Sequence, residues 1–200
     1  VVVRIGVNSF GQSTHLEALA AGDPGGAIDA AMRECLAVMD RVVAQVHAVV
    51  PTARLVLVGA QDNTNWAREL PRWRDASQLA RLRALPDRFD AALRERVTAD
   101  SRLAFLDDRE WYRSWWGDRD ASGNPAYGVV RLGGPTPITN TEGDDPTHAV
   151  LTDGHAGTVY NALWAKRLVE VLNRRFALEI PELTPGEIRR LSDPKGTFGL

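Results

Sequence analysis

Val1-Val2-Val3-Arg4-Ile5-Gly6-Val7 and Arg54-Leu55-Val56-Leu57-Val58-Gly59 are two short apolar runs with a long helical repeat between them. Each run has the length and β-branched content of a buried strand. In the interval Ile28, Met32, Cys35, Leu36, Met39, Val42, Val43, Val46 and Val49 recur at helical spacing. Asp29, Arg33, Asp40, Arg41 and Gln45 occupy the other side, and Pro51 stops the pattern. A second helical region covers residues 76–97, with Leu79, Leu82, Leu85, Phe89, Leu93 and Val97 on one face. Pro86 is expected to kink or divide it. A third strand follows at Leu103-Ala104-Phe105-Leu106-Asp107. Strands alternating with helices predict an α/β protein, with a parallel sheet covered by helices on both faces through right-handed crossovers.

Residues 108–150 are rich in Gly, Asp, Asn, Pro and Trp and read as a surface excursion, with a hairpin formed by residues 127–132 and 137–139. Asp118, Asp120, Ser122, Gly123 and Asn124 imitate the first half of a calcium loop, but Val129 stands where such a loop needs a glutamate, so a polar turn is expected. Trp111, Tyr112, Trp115 and Trp116 suit either an aromatic platform for a sugar or acyl group or the packing of the excursion. Thr158 reads as the N-cap of a helix through Arg174, with Val159, Leu163, Leu168, Val171 and Leu172 facing inward. Residues 1–180 are thus expected to form one domain. Residues 181–200 would add a short helix opened by Thr184-Pro185-Gly186-Glu187 and a polar tail. Three strands are few for a sheet, and Val1 stands inside a strand, so the chain reads as the C-terminal portion of a domain with further elements upstream.

The 200 residues are 44% hydrophobic and 25% charged, which suits a folded globular domain. Twenty-four basic residues nearly balance 26 acidic ones, for a net charge of -2, so no field favours nucleic acid or an anionic membrane. A nucleic-acid partner is not expected. Cys35 is the single cysteine, which leaves no internal disulfide and no multi-cysteine metal site. No apolar run reaches the roughly 18 residues of a membrane span.

The chemistry concentrates in two places. Thr152-Asp153-Gly154-His155-Ala156-Gly157-Thr158 sets an acid and a histidine directly before a patterned helix, as a hydrolase presents a general base with the carboxylate that orients it. Asn8-Ser9-Phe10-Gly11 ends the first strand, where open α/β sheets place their chemistry. Gln61, Asp62, Asn63 and Asn65 follow the second strand and are expected to line the same cleft. His15 and His47 read as a loop residue and a helix-surface residue.

Together these blocks resemble the SGNH hydrolases, the GDSL esterase/lipase superfamily. Gly6-Val7-Asn8 matches the first three positions of that family's G-x-N-D block, with Ser9 in the place of the aspartate. His155-Ala156-Gly157-Thr158, continuing into Val159-Tyr160-Asn161-Ala162-Leu163-Trp164-Ala165, resembles the helix start after the catalytic histidine. The resemblance implies a flavodoxin-like three-layer α/β/α domain whose N-terminal elements, including the nucleophilic serine, lie upstream. It assigns His155 as base, Asp153 as orienting carboxylate and Asn8, beside Gly6, as oxyanion donor. The implied activity is cofactor-free hydrolysis of a short-chain or acetyl ester of a small molecule or carbohydrate, with a secreted or periplasmic address typical of such enzymes. The family spacing is D-x-x-H, whereas Asp153 lies two residues before His155. In an extended segment residues i and i+2 point to the same side. Asp145 and His148 have the family spacing and form the alternative pair. Ser9 is either a nucleophile within this chain or a loop hydroxyl bonded to nearby backbone. From another class, the same fold would serve as a noncatalytic binding domain.

Overall fold

Three short strands, β1 (Val2–Val3), β2 (Leu55–Val58) and β3 (Leu103–Leu106), pair in parallel in the order β1-β2-β3. In this computed structural model, which describes residues 1–200, they belong to the first of two compact units, Val1–Thr64 with Trp73–Arg109. Four helices join them: α1 (Val7–Phe10), α2 (Ser13–Ala20), α3 (Ala27–Val49) and α4 (Ala76–Ala99). Leu55, Leu57 and Leu103 pack into one core with Met32 and Met39 of α3 and with Leu82, Phe89 and Leu93 of α4. The alternate side chains Val56, Val58, Ala104 and Leu106 are buried as well, as expected of a parallel sheet. Each fully buried side chain of this size contributes about 1.5–3 kcal/mol. The parallel α/β character read from the sequence is therefore present.

Two sequence expectations are corrected in this unit. The first strand covers only Val2–Val3 rather than residues 1–7, because Gly6 adopts φ 106°, which turns the chain into α1. A side chain at Gly6 would also strike the Phe10 ring, 2.5 Å from the Cβ position. Asn8 and Ser9 consequently lie in a helical turn, not on an extended strand end. Pro86 does not divide α4, which runs without a break from Ala76 to Ala99. Its buried face, Leu79, Leu82, Leu85, Phe89 and Leu93, offsets the roughly 3 kcal/mol that an interior proline costs. Asp75 caps its start by accepting from Gln78 N at 2.9 Å.

The second unit comprises Asn65–Arg72 and Glu110–Leu200. The excursion expected at its start is partly helical, since α5 runs over Asp108–Trp116. A hairpin follows, β4 (Gly117–Arg119) against β5 (Pro125–Tyr127). Its turn is the polar one expected: Asp120 Oδ1 accepts from Ser122 N and Asn124 N, both at 2.9 Å. Next come β6 (Val129–Val130), β7 (Ile138–Glu142) and β8 (His148–Val150). β6 and β7 are antiparallel, while β7 and β8 are parallel with a register shift between Thr139 and Glu142. The expected pairing of 127–132 with 137–139 appears as Val129 opposite Thr139 and Val130 opposite Ile138.

The last helices are α6 (Thr158–Phe176) and α7 (Pro185–Ser192). Gly157, not Thr158, occupies the N-cap of α6, and Thr158 is its first helical residue. Thr184 caps α7 in a reciprocal box with Glu187, whose carboxylate accepts from Thr184 N at 2.9 Å. Ile188 and Leu200 are buried in the core of this unit, so the C-terminal residues contribute apolar packing beyond a polar tail. Trp111, Tyr112 and Trp116 are also buried there, and the Trp116 ring stacks on Tyr160 with centroids 5.8 Å apart. Tyr112 Oη lies 2.9 Å from Asn65 O and 3.0 Å from Asn140 Oδ1, which ties α5 to the 65–72 segment and to β7.

Candidate functional site

In the second unit the chain leaves β8 and closes a tight turn before α6. Leu151 N donates to His155 O and Gly154 N donates to Leu151 O, both at 2.8 Å. Gly154 sits at φ 89°, a conformation that L side chains rarely adopt. The Asp153 carboxylate folds onto the next-but-one residue: Oδ1 accepts from His155 N at 2.9 Å and lies 3.1 Å from His155 Nδ1. These two hydrogen bonds, the backbone one first, hold the Asp153 carboxyl below its usual range. The two-residue spacing thus brings acid and imidazole together. The side chains are 65% and 82% exposed, so water reaches the whole dyad.

The turn is held by residues that the sequence reading passed over. Trp66 Nε1 donates to Gly154 O at 3.2 Å, and Arg68 Nη2 donates to Thr152 O at 3.0 Å. Arg68 Nε is paired in turn with Glu142 Oε1 at 2.8 Å. From the β7–β8 turn, Asp144 Oδ1 accepts from Thr152 N at 3.1 Å and from Thr152 Oγ1 at 2.6 Å. The Thr152 hydroxyl and backbone amide keep the Asp144 carboxyl low. The Trp66 and Arg68 contacts do not follow from periodicity, because these residues lie more than 80 residues away from the turn they hold (sequence separations 88 and 84).

The alternative pair is also in contact, in a different way. His148 Nδ1 lies 2.7 Å from Thr141 Oγ1 and its Nε2 3.7 Å from Asp145 Oδ2. Both ring nitrogens face a protein group, and a side chain at Gly143 would strike the ring, 2.2 Å from Cδ2. Thr147 engages Asp145, its hydroxyl lying 2.5 Å from Oδ1, which keeps that carboxyl low. This arrangement braces the β7–β8 connection. His155 differs because the acid occupies Nδ1 alone, and an imidazole so held presents the Nε2 lone pair outward.

In the first unit, Asn8 is exposed on α1 and Ser9 is half-buried, its backbone N donating to Gly6 O at 3.0 Å. Asn8 and Ser9 belong to one unit and Asp153 and His155 to the other. Of the residues after β2, Asp62 is buried and accepts from the Thr64 hydroxyl at 3.0 Å, while Gln61 and Asn63 are half-buried. Arg4, just past β1, donates from Nη2 to the buried Asp108 carboxylate at 2.6 Å. Deeper in the same edge, Asp90 accepts from Ala60 N at 2.7 Å and from Arg109 Nε and Nη2 at 2.8 and 2.6 Å. Burial pushes the Asp90 carboxyl up against the pull of Arg109. His15 lies in α2 rather than a loop. His47 is largely buried, not on a helix surface, with Nε2 3.1 Å from Ala53 O. No group of three or more His, Cys, Asp or Glu side chains is arranged to hold a metal ion. No helix is long and apolar enough to cross a membrane.

No protein-family model, curated protein or solved structure matches the chain.

Proposed function

We propose that this chain is the base-bearing portion of an SGNH-type hydrolase with a flavodoxin-like fold, acting on short acyl or acetyl esters of small molecules or carbohydrates. The observation that carries the reading is the 3.1 Å contact of Asp153 Oδ1 with His155 Nδ1, which leaves Nε2 directed away from the acid. An acid on one imidazole nitrogen fixes the tautomer and supports the imidazolium that forms when the other nitrogen takes a proton. A serine hydroxyl within about 3 Å of Nε2 would lose its proton to His155 as it attacks the ester carbonyl. The imidazolium returns that proton to the departing alcohol, leaving an acyl-serine. His155 then takes a proton from water, whose oxygen attacks the acyl carbon, and returns that proton to the departing serine oxygen, releasing the carboxylic acid and the free serine. An oxyanion donor is worth about 3–4 kcal/mol in a preorganised site of this kind. The serine is proposed to lie upstream of Val1.

A fluorophosphonate probe tests the reading in two proteins, the present chain and the gene product extended upstream. Labelling of an upstream serine, lost in His155→Ala and accompanied by p-nitrophenyl acetate cleavage, is the expected result. Labelling of Ser9 in the present chain would move the nucleophile into it. An extended product that neither labels nor cleaves would overturn the hydrolase assignment and leave a binding domain.

A further inference from the structure

Helices α5 and α6 leave a cavity of about 230 Å³ between them in the second unit. Trp111 and Trp115 supply its aromatic wall from α5, and Leu163 of α6 adds an aliphatic surface. Trp111 is 3% exposed and fixed in the core, whereas Trp115 is half-buried. The remaining lining is polar and internally neutralised. Lys166 Nζ bonds Glu170 Oε1 at 2.9 Å and Arg167 Nη1 bonds Glu170 Oε2 at 3.2 Å, with Glu182 a second partner of Lys166 at 2.9 Å. Arg167 Nη2 also lies 3.9 Å from Glu110 Oε2. Two buried N–H groups of the lining, Trp111 Nε1 and Arg167 Nε, have no hydrogen-bond partner, and a buried donor left so is costly.

We propose that this cavity binds a neutral saccharide. A pyranose ring carries an apolar C–H face and a rim of hydroxyls that both donate and accept. An indole wall beside planar guanidinium and carboxylate groups answers both features. Because the cations are already matched by Glu170, Glu182 and Glu110, the cavity has no excess charge with which to hold a phosphate or carboxylate. Its polar groups are equally too numerous for a purely apolar acyl chain. The claim that this saccharide is the alcohol portion of an ester substrate rests on the hydrolase reading, but binding itself does not.

Saturation-transfer NMR on the intact 200-residue chain tests the site with cellobiose, xylobiose and N,N′-diacetylchitobiose, each at about 10 mM, and with inorganic phosphate as competitor. At least one disaccharide is expected to receive saturation, with affinity falling about tenfold or more in Trp115→Ala and phosphate failing to displace it. Arg167→Gln is the second variant and should weaken the same ligand, so the test survives if Trp115→Ala does not fold. No transfer to any of the three sugars overturns the proposal. So does transfer that is unchanged in a folded variant or abolished by phosphate. Ester cleavage does not enter the readout, so failure here is distinguishable from failure of the hydrolase assignment.

Discussion

Replacing Asp90 by alanine should destabilise the first unit more than any surface change, because its carboxylate joins three elements at the C-terminal edge of the sheet. It is 4% exposed and receives Ala60 N at 2.7 Å together with Arg109 Nε and Nη2 at 2.8 and 2.6 Å. Removing one member of a buried ion pair costs about 3–5 kcal/mol, since the partner charge stays buried and uncompensated. Arg109 keeps one anion, Asp87 Oδ1 at 2.7 Å, but that side chain is 62% exposed and therefore a weak substitute. The lower half of the range, about 3–4 kcal/mol, is the expected loss. Asp90→Asn keeps an acceptor for Ala60 N but removes the anion and turns an N–H donor toward Arg109, so it should lose about as much, again about 3–4 kcal/mol. Urea unfolding followed by far-UV circular dichroism measures both. With a slope near 2 kcal/mol/M, the alanine variant should unfold about 1.5–2 M earlier than wild type. A loss below about 1 kcal/mol for alanine, or near-wild-type stability of the asparagine variant, would refute the view that an uncompensated Arg109 is what the fold cannot tolerate.

Three further outcomes follow from individual residues. Gly154→Ala should cost about 1–3 kcal/mol because φ 89° is strained for any other residue, and it should separate Asp153 from His155. A long-range ¹H–¹⁵N spectrum showing an unchanged His155 tautomer would contradict this. Thr184→Ala removes the capping box of α7 and should lower stability by about 1 kcal/mol, read by thermal unfolding; an unaltered midpoint would mean that packing of Ile188 alone holds the helix. The Arg102 guanidinium beside Asp100 holds that carboxyl down at about 2, from an ordinary 3.8. Whatever stability Asp100 adds is therefore complete above its unfolded value and is lost as pH falls through about 2. A carboxyl-carbon NMR titration of Asp100 with its midpoint near 3.8 would reject the pairing.

The parallel sheet, α3, α4 and α6 were legible because each depends on the period of apolar side chains along one stretch of chain. The errors arose where a single backbone conformation or a distant contact decides. Gly6 ends β1 early through its φ of 106°, and Pro86 remains within α4 because the buried leucines on either side outweigh it. Helix α5 escaped notice because its tryptophans and tyrosine have low intrinsic helix propensity and are held by the core they enter. At the candidate site, the proximity of Asp153 and His155 was readable as an i, i+2 relation. The clamp of Trp66 and Arg68 upon their turn was not.

The chain alone therefore determined the parallel strands of the sheet and the long amphipathic helices α3, α4 and α6, and it marked the Asp153–His155 pair, since hydrophobic period and local spacing are properties of neighbouring residues. Only the tertiary structure decided that residues 65–72 join the second unit and brace the His155 turn, that the α5 tryptophans wall a cavity with Lys166 and Arg167, and that His148 rather than His155 has both nitrogens facing protein groups. Those facts depend on hydrogen bonds and packing between residues far apart in sequence, whose free energy exists only once the chain has closed the intervening loops.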